Sequence, residues 1–191
     1  MTNLLIEMEE WTAAIELGRD IDVIYTDFAK AFDSVPHKRL LIKLKSIGVE
    51  NKVLQWIKAY LNGRKHRVCV EGEFSDCVHV KSGIPQGSVL GPTLFVIFIN
   101  DMPNVVNNCC KLFADDAKLY RTTTTGDNEA SLQGDINNLL EWSTMWQLPF
   151  NIKKCKSMHI GKNKTNHSYH MNEYTLENVN EEKDLGVMLA N

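Results

Sequence analysis

Leu4, Met8, Trp11 and Ile15 recur at three- and four-residue intervals, which predicts an amphipathic helix over 3–18 that stops near Gly18. The next apolar run, Ile21-Asp22-Val23-Ile24-Tyr25-Thr26, is short and rich in β-formers, so it reads as a strand delivering Asp27 at its end. Pro36 opens a helix over 37–47 closed by Gly48, and a second helix over 51–62 is closed by Gly63. Val68 and Val70 alternate before Glu71-Gly72-Glu73-Phe74, and Val78 and Val80 alternate after it, the pattern of a hairpin. A glycine-rich loop at 82–87 leads into a strongly apolar helix over 89–102. Two apolar segments, 109–114 and 117–120, flank Asp115-Asp116, and a helix over 128–146 and strands near 156–160 and 172–177 follow. Helices and strands alternate without a strict βαβ rhythm, which makes the class α+β.

Composition narrows the setting. The chain has 191 residues, 43% hydrophobic and 24% charged, enough for one ordinary domain with its own core. Its five cysteines are an odd number with no CxxC pair, which excludes a secreted disulfide framework. The start lacks a basic segment and meets Glu7 early, unlike a signal peptide, and the longest apolar run, 89–99, is too short to span a bilayer. A nuclear or cytoplasmic protein, not secreted and not in a membrane, is expected. The net charge of −3 hides strong alternation. Residues 1–35 carry −6, 36–67 carry +8, 68–150 carry −6, 151–170 carry +5 and 171–191 carry −4. Basic blocks around carboxylate-rich ones suit either solvated helix faces or phosphate contacts around an acidic metal site. Arg64, Lys65 and Arg67, at the hairpin entrance, are the candidates for nucleic-acid phosphates. Leu40, Leu41, Leu44, Leu54, Trp56 and Ile57, interleaved with the other bases, are expected to form buried helix faces.

The acids at 115 and 116 fit a two-residue hairpin turn, and a lone Asp-Asp would usually be solvated. Here Leu112-Phe113-Ala114 and Leu119-Tyr120 suggest a hairpin packed on a core. Carboxylates crowded there rise in pKa unless a cation neutralises them, and hard divalent ions prefer such oxygen ligands. If the strand ending in Asp27 lies beside this hairpin, three carboxylates meet at one sheet edge, the constellation of two-metal phosphoryl transfer.

Beyond these acids, residues 26–37 resemble the first palm motif of reverse transcriptases in the form used by non-LTR (LINE-type) retrotransposons. Residues 82–92 are similar to the second motif, Phe113-Ala114-Asp115-Asp116 to the catalytic turn, Asn151-Ile152-Lys153-Lys154-Cys155-Lys156 to the fourth motif and Glu182-Lys183-Asp184-Leu185-Gly186-Val187 to the fifth. Five motifs in order cover nearly the whole chain. The resemblance implies a palm over 1–191, with its first motif at about 21–37, the second at 82–92, the catalytic hairpin at 109–120, the fourth at 151–160 and the fifth at 181–188. It also implies a small antiparallel sheet backed by helices, and an RNA-directed DNA polymerase using two Mg²⁺ ions, with Mn²⁺ able to replace them. Asp27, Asp115 and Asp116 become the catalytic metal ligands. Phe32 becomes the gate against a ribose 2′-OH. Phe28 becomes a substrate-site residue, and Gln86 and Gly87 contacts to template and nucleotide. Phe113 becomes a primer contact and Lys154 a triphosphate contact able to protonate the leaving pyrophosphate. The implied partners are an RNA template, a DNA primer and a deoxynucleoside triphosphate.

An RNA-dependent RNA polymerase shares this palm, but its second motif holds the ribose 2′-OH with a Thr and an Asn where this chain has Gly87 and Gly91. That ranks it last. Asp33 then reads as a cap for the turn into Ser34-Val35-Pro36. The other alternative is a truncated, inactive palm that at most binds nucleic acid, since fingers are expected to be largely missing and the thumb absent. A longer parent protein would supply those parts and any endonuclease.

Overall fold

The structure, a computed structural model, describes residues 2–123 (side chains from Leu4 onward), 130–162 and 167–191. Along the chain, α1 (Thr2–Glu16) and β1 (Asp20–Thr26) precede three helices, α2 (Ala31–Ser34), α3 (His37–Ser46) and α4 (Asn51–Leu61). Four two-residue strands follow, β2 (Lys65–His66), β3 (Cys69–Val70), β4 (Glu73–Phe74) and β5 (Val78–His79), and then α5 (Leu90–Ile99). The rest is β6 (Cys109–Phe113), β7 (Asp116–Thr123), α6 (Ala130–Trp146), β8 (Lys156–Ile160), β9 (His170–Met171), β10 (Tyr174–Thr175), β11 (Glu177–Val179), β12 (Glu181–Asp184) and β13 (Val187–Ala190). The predicted first two residues of the helix over 128–146 lie outside the described residues. No helix among the described residues is long and apolar enough to cross a membrane.

Two compact units form. The first joins Met1–Phe28, Met102–Thr144 and Phe150–Asn191. Its sheet has the order β11-β8-β1-β7-β6, antiparallel throughout except where β11 runs parallel to β8. Being central, β1 is buried almost along its length, which is why its sequence reads as a nearly continuous apolar run. Ile21 and Val23 pack with Leu4, Trp11 and Ala14 of α1 and with Tyr120, Met158 and Leu189. Each such aliphatic side chain contributes roughly 1.5–3 kcal/mol by leaving water. The other face of β1 carries Asp22, whose carboxylate accepts hydrogen bonds from Tyr169 Oη (2.6 Å) and engages His159 Nδ1 and His167 Nδ1 (both 2.7 Å). The single strand predicted near 172–177 is broken in two. A left-handed Asn172 turns β10 back onto β9, and β11 then joins the main sheet.

The second unit joins Ala29–Asp101 and Met145–Pro149. Leu40 and Leu44 of α3, Ile57 and Leu61 of α4, and Leu94, Phe95 and Phe98 of α5 are buried in it. Trp56, expected among them, is exposed and stacks on Tyr60 at 5.8 Å. Lys43, part of the basic block, is buried instead. Its Nζ donates to Phe98 O and to the Asp101 carboxylate and lies 3.8 Å from the centre of the Trp146 ring. The predicted hairpin is real but turns earlier than expected, at Glu71-Gly72, both left-handed, with β3–β4 at its tip and β2–β5 at its base. Of its basic residues, Arg64 is committed to the Leu61 and Gly83 carbonyls, and Arg67 lies 3.7 Å over the Phe74 ring.

Candidate active site

Thr26 closes the last rung of β1 by donating from Oγ1 to Ala117 O at 2.9 Å, and Asp27 follows at once. On the neighbouring hairpin the final pair is Phe113 with Asp116, so the two turn residues are Ala114, at φ 52°, and Asp115. The turn therefore sits one residue earlier than the Asp115-Asp116 expected from the sequence. Ala114 takes the left-handed backbone that this tight turn requires, and Ala117 to Tyr120 beyond it are buried on both faces of β7. Asp116 thus begins the strand, next to the end of β1, while Asp115 is half-buried in the turn.

Asp27 and Asp116 line one cavity of about 380 Å³, together with Lys153, Lys154, Lys156 and Lys183; Asp115 is not in its lining. Asn151 N–H donates to the Asp27 carbonyl at 2.7 Å, and Phe28 bridges to Phe150, so the turn at Ile152–Lys154 is fixed to the end of β1. That anchoring brings Lys154 Nζ to 3.0 Å from Asp27 Oδ2. The contact is a charge pairing without hydrogen-bond alignment: Oδ2 is buried and accepts no hydrogen bond among the described residues. Loss of water and the charges of Asp115, Asp27 and Asp184 push the Asp116 carboxyl above its usual range, against a smaller pull from Lys118. As the side chains stand, no three His, Cys, Asp or Glu groups among the described residues are gathered closely enough to hold a metal. The donor set nevertheless suits a hard cation. A carboxylate balanced by a single largely exposed lysine, and a second one raised by loss of water and by its acidic neighbours, are groups that a divalent ion would neutralise.

The remaining sequence-predicted residues divide between the units. Phe28 is buried, stacked on Phe150 at 4.7 Å and tilted to Trp142 at 6.4 Å, so its ring is part of the core of the first unit. Phe113, half exposed at the end of β6, lines an apolar groove with Leu4, Leu5, Leu185 and Val187. In the second unit Phe32 is half-buried and stacks on Phe95 at 4.7 Å. There the glycine-rich loop is fastened to the first-motif turn. Gly83 N–H donates to Val35 O (2.8 Å), Ile84 N–H to Phe32 O (2.7 Å) and Ser82 Oγ to Asp33 O (2.9 Å). Gly83 has φ 86°, and a Cβ there would meet the Asp33 backbone at 2.7 Å, so only glycine fits. Gln86 is exposed and donates to Asp33 Oδ1 at 3.2 Å; Gly87 beside it is left-handed. Asp33 lies inside α2, and the cap position of α3 is Pro36, with no side-chain cap; the capping role expected for Asp33 is not taken.

Sequence reasoning missed the groups that hold the aspartate hairpin in place. Lys118, two residues beyond Asp116, is buried and donates to both Glu7 of α1 and Asp184 of β12. Asp135 of α6 is wholly buried and accepts the backbone N–H groups of Asn107 (2.9 Å) and Asn108 (2.8 Å) just before β6. A lysine inside an apolar strand and an aspartate inside an apolar helix stripe were the available signals.

Comparison with known proteins agrees with this geometry. Residues 10–188 match the family model described as reverse transcriptase (RNA-dependent DNA polymerase). The chain is 36% identical over 143 residues to the RNA-directed DNA polymerase from mobile element jockey of Drosophila funebris, covering 70% of this chain and 16% of the relative. It is 30% identical to the probable RNA-directed DNA polymerase from transposon X-element of Drosophila melanogaster, covering 95% and 21%. The chain thus spans about a fifth or less of these relatives. The structure of apo telomerase from Candida tropicalis superposes with a TM-score of 0.68 at 14% identity, over 100% of this chain and 38% of that one, which gives the polymerase palm fold. With its aspartate-bearing strand beside an aspartate hairpin and its motifs in order, the chain belongs to the reverse transcriptase family.

Proposed function

We propose that this chain is the palm of an RNA-directed DNA polymerase of a mobile element, working in the nucleus or cytoplasm as part of a longer parent protein. The observation that carries the reading is the meeting of Asp27, at the end of β1, and Asp116, at the start of β7, in one cavity lined by lysines. Asp27, Asp115 and Asp116 would hold two Mg²⁺ ions, or Mn²⁺ in their place. Bound there, the ions would make the primer 3′-hydroxyl a better nucleophile and offset the charge on the leaving pyrophosphate.

The chain's own residues do the positioning. Lys154, whose side chain is largely exposed, orients the triphosphate and gives its Nζ proton to the pyrophosphate. Phe113 meets the primer end, and Gln86 and Gly87 meet the template strand and nucleotide. Phe32, braced by Phe95, excludes a 2′-hydroxyl. Positioning of this kind supplies much of the rate in phosphoryl transfer, where the protein forms no covalent bond.

The test is primer extension on an RNA template with Mg²⁺ or Mn²⁺ and with deoxy- or ribonucleotides, using Asp115→Asn as the blank. Metal-dependent incorporation of deoxynucleotides that disappears in the variant is the expected result. Extension that survives Asp115→Asn overturns the assignment, and nucleic-acid binding without extension makes this chain a binding module only.

A further inference from the structure

Gly83, buried near the start of the glycine-rich loop, has both of its polar backbone groups taken. Its N–H donates to Val35 O, and its carbonyl oxygen lies 2.8 Å from His37 Nε2 and 2.5 Å from Arg64 Nη2. Those two nitrogens stand 3.3 Å apart. A carbonyl oxygen can only accept, so the imidazole carries a proton on Nε2, and each donor takes one of the two lone pairs. Both donors come from outside the loop. His37 is buried at the first residue of α3, just after the turn that carries Phe32. Arg64 is itself pinned twice. Its Nε donates to Leu61 O at the end of α4 (3.0 Å), and its backbone carbonyl accepts from Val80 N–H (2.9 Å), a short step before Gly83. The arginine therefore joins α4, the foot of the β2–β5 ribbon and the glycine-rich loop at one point.

We propose that His37 and Arg64 are positioning residues that grip the Gly83 carbonyl from two sides, fix the glycine-rich loop against the turn bearing Phe32, and so set how strictly the site refuses a ribonucleotide. The proposal rests on the reading of Phe32 as the sugar gate and of Gln86 and Gly87 as contacts to template and nucleotide. Loop and turn already share the bonds from Ile84 N–H to Phe32 O, from Ser82 Oγ to Asp33 O and from Gln86 to Asp33 Oδ1. None of these holds the carbonyl side of Gly83, whose φ of 86° belongs to a residue with wide backbone freedom. The two donors on its oxygen remove that freedom. A gate rejects a 2′-hydroxyl only while the nucleotide cannot move away from it, so a loop that yields weakens the gate without touching its ring. His37 and Arg64 meet no substrate; they act through the loop.

Hydrogen exchange of the whole chain, read by mass spectrometry on peptides covering 82–87, reports the grip without any turnover. His37→Phe keeps a ring and removes the donor, and exchange there is expected to quicken roughly tenfold, the equivalent of about one lost hydrogen bond. Arg64→Met removes the other donor from a half-buried side chain and should act in the same direction, which keeps the test open if His37→Phe folds poorly. His37→Gln places an amide N–H at about the reach of Nε2 and should return exchange to within about threefold of the parent. Primer extension on an RNA template then gives kcat/KM for deoxy- and ribonucleotides. Their ratio is blind to a mere loss of folded protein, because both substrates meet the same active fraction. His37→Phe and Arg64→Met are each expected to lower it about fivefold, and His37→Gln to recover it. Unchanged exchange in both loss variants overturns the grip, as does a glutamine that rescues neither readout. Faster exchange with an unchanged ratio overturns the link to sugar choice. A parent chain that extends no primer overturns the polymerase reading and that link with it, and the grip then stands or falls on exchange alone.

Discussion

Asp135→Ala tests whether the turn before the aspartate hairpin is held by one buried carboxylate. Asp135 is wholly buried and receives four hydrogen bonds: two backbone N–H groups and the side-chain amides of Asn107 (3.2 Å) and Asn108 (2.7 Å). The amide side chains lie near solvent and can turn to water, so their loss is cheap. The two backbone donors cannot turn away, and each left without an acceptor costs about 1–3 kcal/mol. Partial relaxation brings the expected total to about 3 kcal/mol, within the range for breaking a buried polar network. Asp135→Asn keeps one acceptor but sets an NH₂ against a donor, so about 2 kcal/mol is expected. Urea unfolding followed by circular dichroism at constant m-value reads both numbers. For a chain of this size, 3 kcal/mol corresponds to a fall in Tm of roughly 6–12 °C. A loss below about 1 kcal/mol for the alanine variant would refute the reasoning, because it would mean that Asn107 and Asn108 find other acceptors at no cost.

Further outcomes follow from other sites. Phe32→Ala should relax sugar discrimination at least about tenfold, read as the ratio of deoxy- to ribonucleotide incorporation, and unchanged rejection removes Phe32 from the gate. It should also cost about 2–3 kcal/mol by emptying the space beside Phe95. Burial pushes the Asp22 carboxyl up, but hydrogen bonds from Tyr169, His159 and His167 together outweigh it and hold the group below its usual range. The stabilisation is therefore present above the ordinary aspartate value and lost as pH falls through the lower folded value. Acid titration of Asp22→Asn should lack that phase, and an unchanged acid transition would argue against it. Burial raises the Cys155 thiol to about 11. At pH 8 iodoacetamide should label the exposed Cys69 and Cys77 and spare Cys155 until urea is added, as peptide mass spectrometry can show.

What the sequence disclosed was local. The strand ending at Asp27, the aspartate hairpin and the glycine loop each have a pattern contained in a dozen residues. Their pairing followed because Thr26 and Ala117 both bury against neighbours. The undisclosed part depends on distant partners. Lys118 is held by Glu7, 111 residues away, and by Asp184, 66 away, and no periodicity links such positions. Lys43 was hidden for the same reason: a helix of alternating lysines gives no sign that one of them will turn inward to Asp101. Trp56 erred in the opposite direction, since apolar spacing alone does not say whether a neighbouring element arrives to cover it.

The central place of β1 governs the order in which this molecule can be made. Its partners β7 and β8 lie 91 or more residues further along the chain, so every rung beside Asp27 is a late, long-range closure. Emerging from a ribosome, the first aspartate strand waits with two open edges while residues 29–101 of the second unit are synthesised. During that interval an apolar strand invites pairing with other chains. Slow translation between the first and fourth motifs should therefore raise aggregation of nascent protein, and chaperones that shield extended apolar segments should matter more to its yield than to its final stability.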